Sequence, residues 1–187
     1  MTRGALDIAT AAALAARWVH LAVTLRRGKR GPCLPHRGTS GPLEWQVLGL
    51  GAAYLIAVVL WLNNSLGSWR APMHIADGLA ALSVVAGASL RIVGQHELGP
   101  AFSWGSSVAP PRLVTSGVYG LLKHPLLVGY GLECGGLLLG VRGHLLLRVG
   151  SMGLLVASIG AQAIREERVL ARRFGREWDE YARRRLL

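Results

Sequence analysis

The 187-residue chain has only two cysteines, Cys33 in a basic loop and Cys134 in an apolar run. That excludes a disulfide framework and suits unpaired thiols in a reducing setting. His20, His36, His74, His96, His124 and His144 fall at no metal-ligand spacing, so no metal site is expected. There is no nucleophile elbow and no Walker loop. Gly129-Tyr130-Gly131 makes a poor dinucleotide fingerprint, since no strand-turn-helix surrounds it. Acidic residues are scarce as well: 10 Asp and Glu against 21 Lys and Arg give a net charge of +11. Such an excess would suit nucleic acid. Here the basic residues cluster between apolar runs, as in Arg26, Arg27, Lys29 and Arg30, with little aromatic interleaving. A membrane accounts for that pattern better, and no nucleic-acid partner is expected.

Apolar residues make up 51% of the chain, and its mean hydropathy is positive. Five apolar stretches span about 5–25, 43–62, 73–93, 125–141 and 144–164, each approaching the ~20 residues that cross a bilayer, the fourth being short. Backbone in lipid pairs within itself, so these are expected to be helices. The reading is an all-α, polytopic membrane protein of one domain, residues 1–187, with about five membrane helices and a cytoplasmic C-terminal amphipathic helix. Residues 1–93 would supply three helices, and 94–187 a loop, a helical hairpin and the C-terminal helix. The first run has the small residues of a signal peptide, but Arg26 to Arg30 follow it while only Arg3 precedes it. It therefore reads as a retained helix.

Orientation follows from the basic residues. Segments 26–42, 91–123 and 165–187 carry five, three and eight Lys and Arg, leaving Arg3, Arg17, Arg70, Arg142 and Arg148 elsewhere. The positive-inside rule then puts the N-terminus outside and the C-terminus in the cytoplasm. Trp45 and Trp61 bracket the second run and read as interfacial anchors. Gly131, Gly135, Gly136 and Gly140 form two small-xxx-small pairs and read as a close helix contact.

Two polar segments, both on the expected cytoplasmic side, concentrate the chemistry. In Leu113 to Pro125, Pro125 suits the first turn of the fourth helix. Lys123 and His124 then flank a helix N-terminus that favours an anion, whether a cofactor carboxylate or a lipid headgroup. In Ala163 to Tyr181, Leu170, Phe174, Trp178 and Tyr181 form a stripe on a helix that bends at Gly175, placed to lie on the membrane or to cover a pocket. Arg173 with Glu177 and Glu180 with Arg184 read as a solvated face. Glu166 and Glu167 stand where the fifth helix leaves the lipid; they need a cation or donors, either from a sulfonium cofactor with a ribose diol or from Arg165 or Arg168. Glu133, inside the fourth helix, is either functional or packed beside a buried partner. His74 and Asp77 read as a simple pair. Arg17 and Glu133 hint at transport, but no inverted repeat accompanies them.

Taken together, Leu98-Gly99-Pro100-Ala101-Phe102-Ser103, Leu113-Val114-Thr115-Ser116-Gly117-Val118-Tyr119, Lys123-His124-Pro125 with Gly129, Arg165-Glu166-Glu167-Arg168, Phe174-Gly175 and Tyr181 resemble the isoprenylcysteine carboxyl methyltransferase family and its phospholipid-methyltransferase relatives. The resemblance spans about residues 91–185 and rests on block order and spacing. It implies a membrane methyltransferase that uses S-adenosylmethionine on a lipid-like or prenylated acceptor, with carboxyl O-methylation first and phospholipid or small-molecule N- or S-methylation as the alternative. It implies Tyr119, Lys123, His124, Pro125, Glu166 and Glu167 as cofactor contacts and Glu167 and Arg91 as catalytic candidates, to which Glu133 is added as an intramembrane carboxylate. Membrane lipids would be its surroundings, and a non-catalytic lipid-binding component is the rival reading. The sequence departs from the pattern at Lys123, where Arg is usual, at Leu127, where Tyr is frequent, and at Pro100, where Arg is common. Lys keeps the charge but loses the planar fork.

Overall fold

In a computed structural model of the chain, the described residues are 3–28, 45–68, 74–99, 112–142 and 145–185. They form α1 (Arg3–Gly28), α2 (Trp45–Ser68), α3 (Ile75–Leu98), α4 (Pro125–Gly140), α5 (Leu145–Phe174) and α6 (Arg176–Arg183), with a 3-10 turn at Gly117–Gly120 before α4. Cys33, the basic residues Lys29 and Arg30, Arg70, His36, His144 and the Pro100-Ala101-Phe102-Ser103 block lie outside the described residues, as do the side chains of Arg3 and Trp45.

Among the described residues four helices carry stretches long and apolar enough to cross a membrane: Gly4–Thr24, Leu48–Leu66, Ile75–Leu98 and Leu145–Phe174. Their outward faces suit lipid, with Leu55, Val59, Leu66, Leu82, Leu146 and Val156 all exposed. The fourth apolar run is different: α4 has only 16 residues, about 24 Å of helix at the usual rise. It is the hub of the bundle, packed by α3, α2 and α5.

Glycine explains how α4 comes so close to α3. A Cβ on Gly87 would lie 2.5 Å from the Gly129 carbonyl oxygen, and one on Gly136 would lie 2.7 Å from the Ala80 carbonyl oxygen. Only glycine allows backbones that near. The expected glycine contact is therefore present, but Gly136 and Gly140 supply it toward α3, joined by Gly129, while Gly131 and Gly135 face Ile159 and Met152 of α5 at ordinary distances.

Register follows from the side-chain bonds. Tyr130 donates to the Leu50 carbonyl at 2.6 Å and Asn64 to the Gly140 carbonyl at 3.1 Å, so α2 and α4 run the same way. His20 meets Gln95 at 3.2 Å while Asp7 and Thr10 lie beside Asp77 and Ala80, so α1 runs parallel to α3. Gly87 against Gly129 and Ala80 against Gly136 set α3 antiparallel to α4. One end of the bundle carries Asp7 with Ser65 at 3.0 Å and Asp77 with Arg142 at 2.7 Å. The other carries the 3-10 turn, the start of α4 and the end of α5. Asp77 also caps α3, accepting from the His74 amide at 2.9 Å, so its partners extend beyond the simple His74 pair expected.

Trp61 corrects another expectation. It is buried with Leu14, Ala57, Leu60, Val84 and Leu137, in the apolar core rather than at an interface. In lipid such burial is favoured by close packing of the large ring against its neighbours.

Candidate functional site

The two polar segments meet. Pro125 takes the first turn of α4 and His124 its N-cap position, which turns the Lys123 and His124 side chains toward α5. Lys123 Nζ donates to Glu167 Oε1 at 2.9 Å. His124 lies between the glutamates, Nε2 3.3 Å from Glu167 Oε1 and Nδ1 3.3 Å from Glu166 Oε2. Its ring is buried, whereas the two carboxylates are about two-fifths exposed, with side chains at 39%. Lys123 is thus engaged by a glutamate rather than held free for an anion. Glu167 meets the Lys123 cation, and both glutamates meet the His124 ring, in the other segment across more than 40 residues.

Gln162, one turn before Glu166, donates to Glu166 Oε1 at 2.8 Å. With Ser151, Leu155 and Ser158 it belongs to the buried face of α5. The sequence does carry a signal for it: an amide four residues before a carboxylate, in an otherwise apolar run. Glu97 was also missed. At the end of α3 its two oxygens accept from the Val118 amide at 3.2 and 2.9 Å. Gly117 makes this possible, since it has φ +60 and a side chain there would occupy the space of the Glu97 carboxylate.

The C-terminal stripe covers this turn. Gly175, at φ +53, ends α5 and starts α6, so the bend expected there is found. Trp178 and Tyr181 are buried with ring centroids 5.5 Å apart. Tyr181 donates to the Tyr119 carbonyl at 2.7 Å and to the Leu122 carbonyl at 3.3 Å. The Tyr119 hydroxyl is itself buried and meets no hydrogen-bond partner among the described residues, and neither does Gln162 Oε1. Burial, and next the nearby Glu166, push the Tyr119 hydroxyl well above the ordinary tyrosine range. Burial also raises Tyr181, with Arg185 opposing.

No family model, curated protein or solved structure matches this chain. What the site can do is read from its own residues.

Arg91 and Glu133 occupy a deeper layer. Glu133 stands nine residues beyond His124, about 13 Å along α4 at the helical rise. It is fully buried and ion-paired with Arg91, and Tyr54 donates to its other oxygen at 2.9 Å. The Arg91 guanidinium carbon lies 4.7 Å from the centre of the Tyr130 ring. Of the residues expected at the site, Tyr119, Lys123, His124, Pro125, Glu166 and Glu167 come together, while Arg91 and Glu133 pair with each other below them. Tyr54, a partner from α2, was not foreseen.

Proposed function

We propose that the chain is an integral membrane methyltransferase that uses S-adenosylmethionine on a lipid-like or prenylated carboxylate at the cytoplasmic face. The observation that carries this reading is the convergence of Lys123-His124-Pro125 with Glu166 and Glu167, the blocks that resemble the isoprenylcysteine carboxyl methyltransferase family. In this reading α4 is a fifth crossing between α3 and α5, residues 94–187 form the catalytic portion, and the basic loops fix the N-terminus outside.

The residues fit such a cofactor chemically. Two carboxylates suit an ammonium, a sulfonium or a ribose diol. The Tyr119 hydroxyl and Gln162 Oε1 are buried polar atoms with open valences, which a bound molecule would satisfy. The cofactor would supply a methyl group activated by a positively charged sulfur.

The remaining work falls to the chain. Lys123 and His124 hold the two glutamates in place, and Gln162 fixes Glu166. Tyr181 ties the C-terminal helix to the Tyr119 turn. An acceptor carboxylate is ionised at neutral pH and needs no base, so alignment and exclusion of water carry the catalysis. Were the acceptor an amine or hydroxyl, Glu167 is better placed as base than Glu133, whose oxygens are engaged by Arg91 and Tyr54.

Calorimetric titration of the detergent-purified protein with S-adenosylmethionine tests this. Saturable binding that weakens about tenfold or more in Glu167→Gln is expected, from loss of a charge-assisted contact. No binding by the wild type refutes the reading and favours a lipid-binding component. Unchanged affinity in the variant removes Glu167 from the site. Product analysis after incubation with labelled donor and prenylcysteine or lipid acceptors then identifies the acceptor.

A further inference from the structure

α6 brings the chain back to the bundle with its charges sorted along its length. Gly175 stands eight residues beyond Glu167, about 12 Å further along α5 at the helical rise. There the chain turns, and α6 packs back on α5. Glu177, Asp179 and Glu180 come first after the bend, all exposed, and Arg183, Arg184 and Arg185 follow at the other end.

Tyr181 fixes where that basic end lies. Its hydroxyl donates to the Tyr119 and Leu122 carbonyls, and Pro125, three residues beyond Leu122, begins the apolar α4. Leu121 is 71% exposed. An exposed leucine where a helix enters the bilayer belongs at the acyl-chain boundary. Tyr181 therefore sits at the depth of the bilayer surface, and the three arginines after it lie at headgroup level.

Inside the protein these arginines find few partners. Arg183 Nε donates to the Asp179 carbonyl at 3.1 Å, within its own helix. Arg185 lies 5.8 Å from the centre of the Tyr181 ring, and its Nε is buried with no acceptor among the described residues. Arg183 and Arg184 are exposed. Among the described residues no carboxylate comes within ion-pair distance of any of the three, Glu180 included. One cation in the last turn complements a helix dipole. A run of three presents donors to something outside the chain.

We propose that Arg183, Arg184 and Arg185 dock on the phosphate groups of anionic phospholipids in the leaflet at this end of the bundle, and that leaflet charge thereby sets how firmly α6 is held to the Tyr119 turn. Guanidinium forks match phosphate oxygens, and an anionic leaflet attracts juxtamembrane basic residues within about a Debye length. The acidic residues near the bend complete the match, since the same leaflet repels them toward water. The lipid acts as a surface and not as a methyl acceptor, so this docking is independent of whether methyl transfer is the activity.

The test uses the full chain in nanodiscs of phosphatidylcholine alone and of phosphatidylcholine with about one-third phosphatidylglycerol, with no methyl donor present. By hydrogen exchange, the amides of Arg176–Arg183 are expected to exchange about tenfold or more slowly in the anionic discs, while those of α3 and α4 exchange equally in both. About 1 M salt should remove the difference. Arg183→Gln with Arg184→Gln should remove it too, whereas Arg172→Gln with Arg173→Gln, an equal loss of charge at the exposed far end of α5, should keep it. Equal exchange of α6 in the two discs overturns the proposal. Loss of the difference in the Arg172 and Arg173 variant to the same extent shows attraction by net charge alone and overturns the assignment to the C-terminal end. Equal protection by soluble glycerol phosphate in phosphatidylcholine discs gives the arginines to a free phosphate and overturns the leaflet as partner. Should Arg183→Gln with Arg184→Gln not fold, the wild-type comparison of the two discs and its response to salt decide the matter. None of these outcomes touches S-adenosylmethionine titration, so the two readings fail separately.

Discussion

Tyr181→Phe isolates one bond between the C-terminal helix and the turn before α4. The substitution keeps the ring, and so keeps its packing on Trp178 at 5.5 Å. It removes the hydroxyl that donates to the Tyr119 carbonyl at 2.7 Å and to the Leu122 carbonyl at 3.3 Å. Leaving a buried acceptor without its donor costs about 1–3 kcal/mol. At about 1.4 kcal/mol per tenfold, that corresponds to a 5- to 140-fold change in the equilibrium for undocking α6. The second bond is long, so the lower half of the range applies, near tenfold. Hydrogen exchange read by mass spectrometry resolves the effect by segment. Amides of Arg176–Arg183 and of Gly117–Gly120 should exchange about tenfold faster, while those of α3 and α4 keep their wild-type rates, since local openings are governed by local free energy. Unchanged exchange in both segments would show that the hydroxyl does not hold the tail. Acceleration spread equally over all helices would show that it supports the whole bundle, and the reasoning from a local strap fails.

Three further outcomes follow from the same geometry. Glu133→Leu leaves Arg91 and Arg17 buried without a carboxylate and should cost about 3–5 kcal/mol, whereas Glu133→Leu combined with Arg91→Met should recover much of it; thermal melts in detergent compare the two. Gly87→Ala forces a Cβ against the Gly129 carbonyl and the Glu133 amide, an overpacking worth about 1–3 kcal/mol, while Gly78→Ala meets nothing within 4 Å and should be neutral or stabilising by up to about 1 kcal/mol. Tyr119 and Tyr181 keep their protons in the fold past 10.0, the ordinary tyrosine value; their stabilising contribution is complete below that pH and is lost above it, as the unfolded chain ionises first. Melting curves from pH 8 to 11 should fall above pH ~10, and Tyr119→Phe with Tyr181→Phe should reduce the slope.

Local features were the legible ones. Pro125 in the first turn of α4, the bend at Gly175 and the helical course of residues 163–181 each depend on a residue's own backbone preference, so neighbours in sequence suffice to place them. The stripe through Trp178 and Tyr181 was legible as a face, and both rings are buried, with Tyr181 bonded to the Tyr119 turn. Partners were harder. Lys123 looked free for an anion because Glu167 is 44 residues away in sequence and 2.9 Å away in space. Trp61 looked like an anchor because its place near the end of an apolar run does not say which way it faces.

Hydropathy averages also conceal the polar residues that matter here. Arg17, Arg91, Glu133 and Gln162 are each tolerated in runs whose mean remains apolar, yet each is at least nine-tenths buried inside the bundle. A lipid-facing position would expose these groups to hydrocarbon, and a water-facing one would not require an apolar run at all. The bundle interior is the one place where α3 can offer Arg91 to Glu133 of α4 while α2 offers Tyr54 to the same carboxylate. Arg17 breaks the balance, since it brings a second cation to a carboxylate already satisfied. A packing role alone would be served better by leucine at that position of α1.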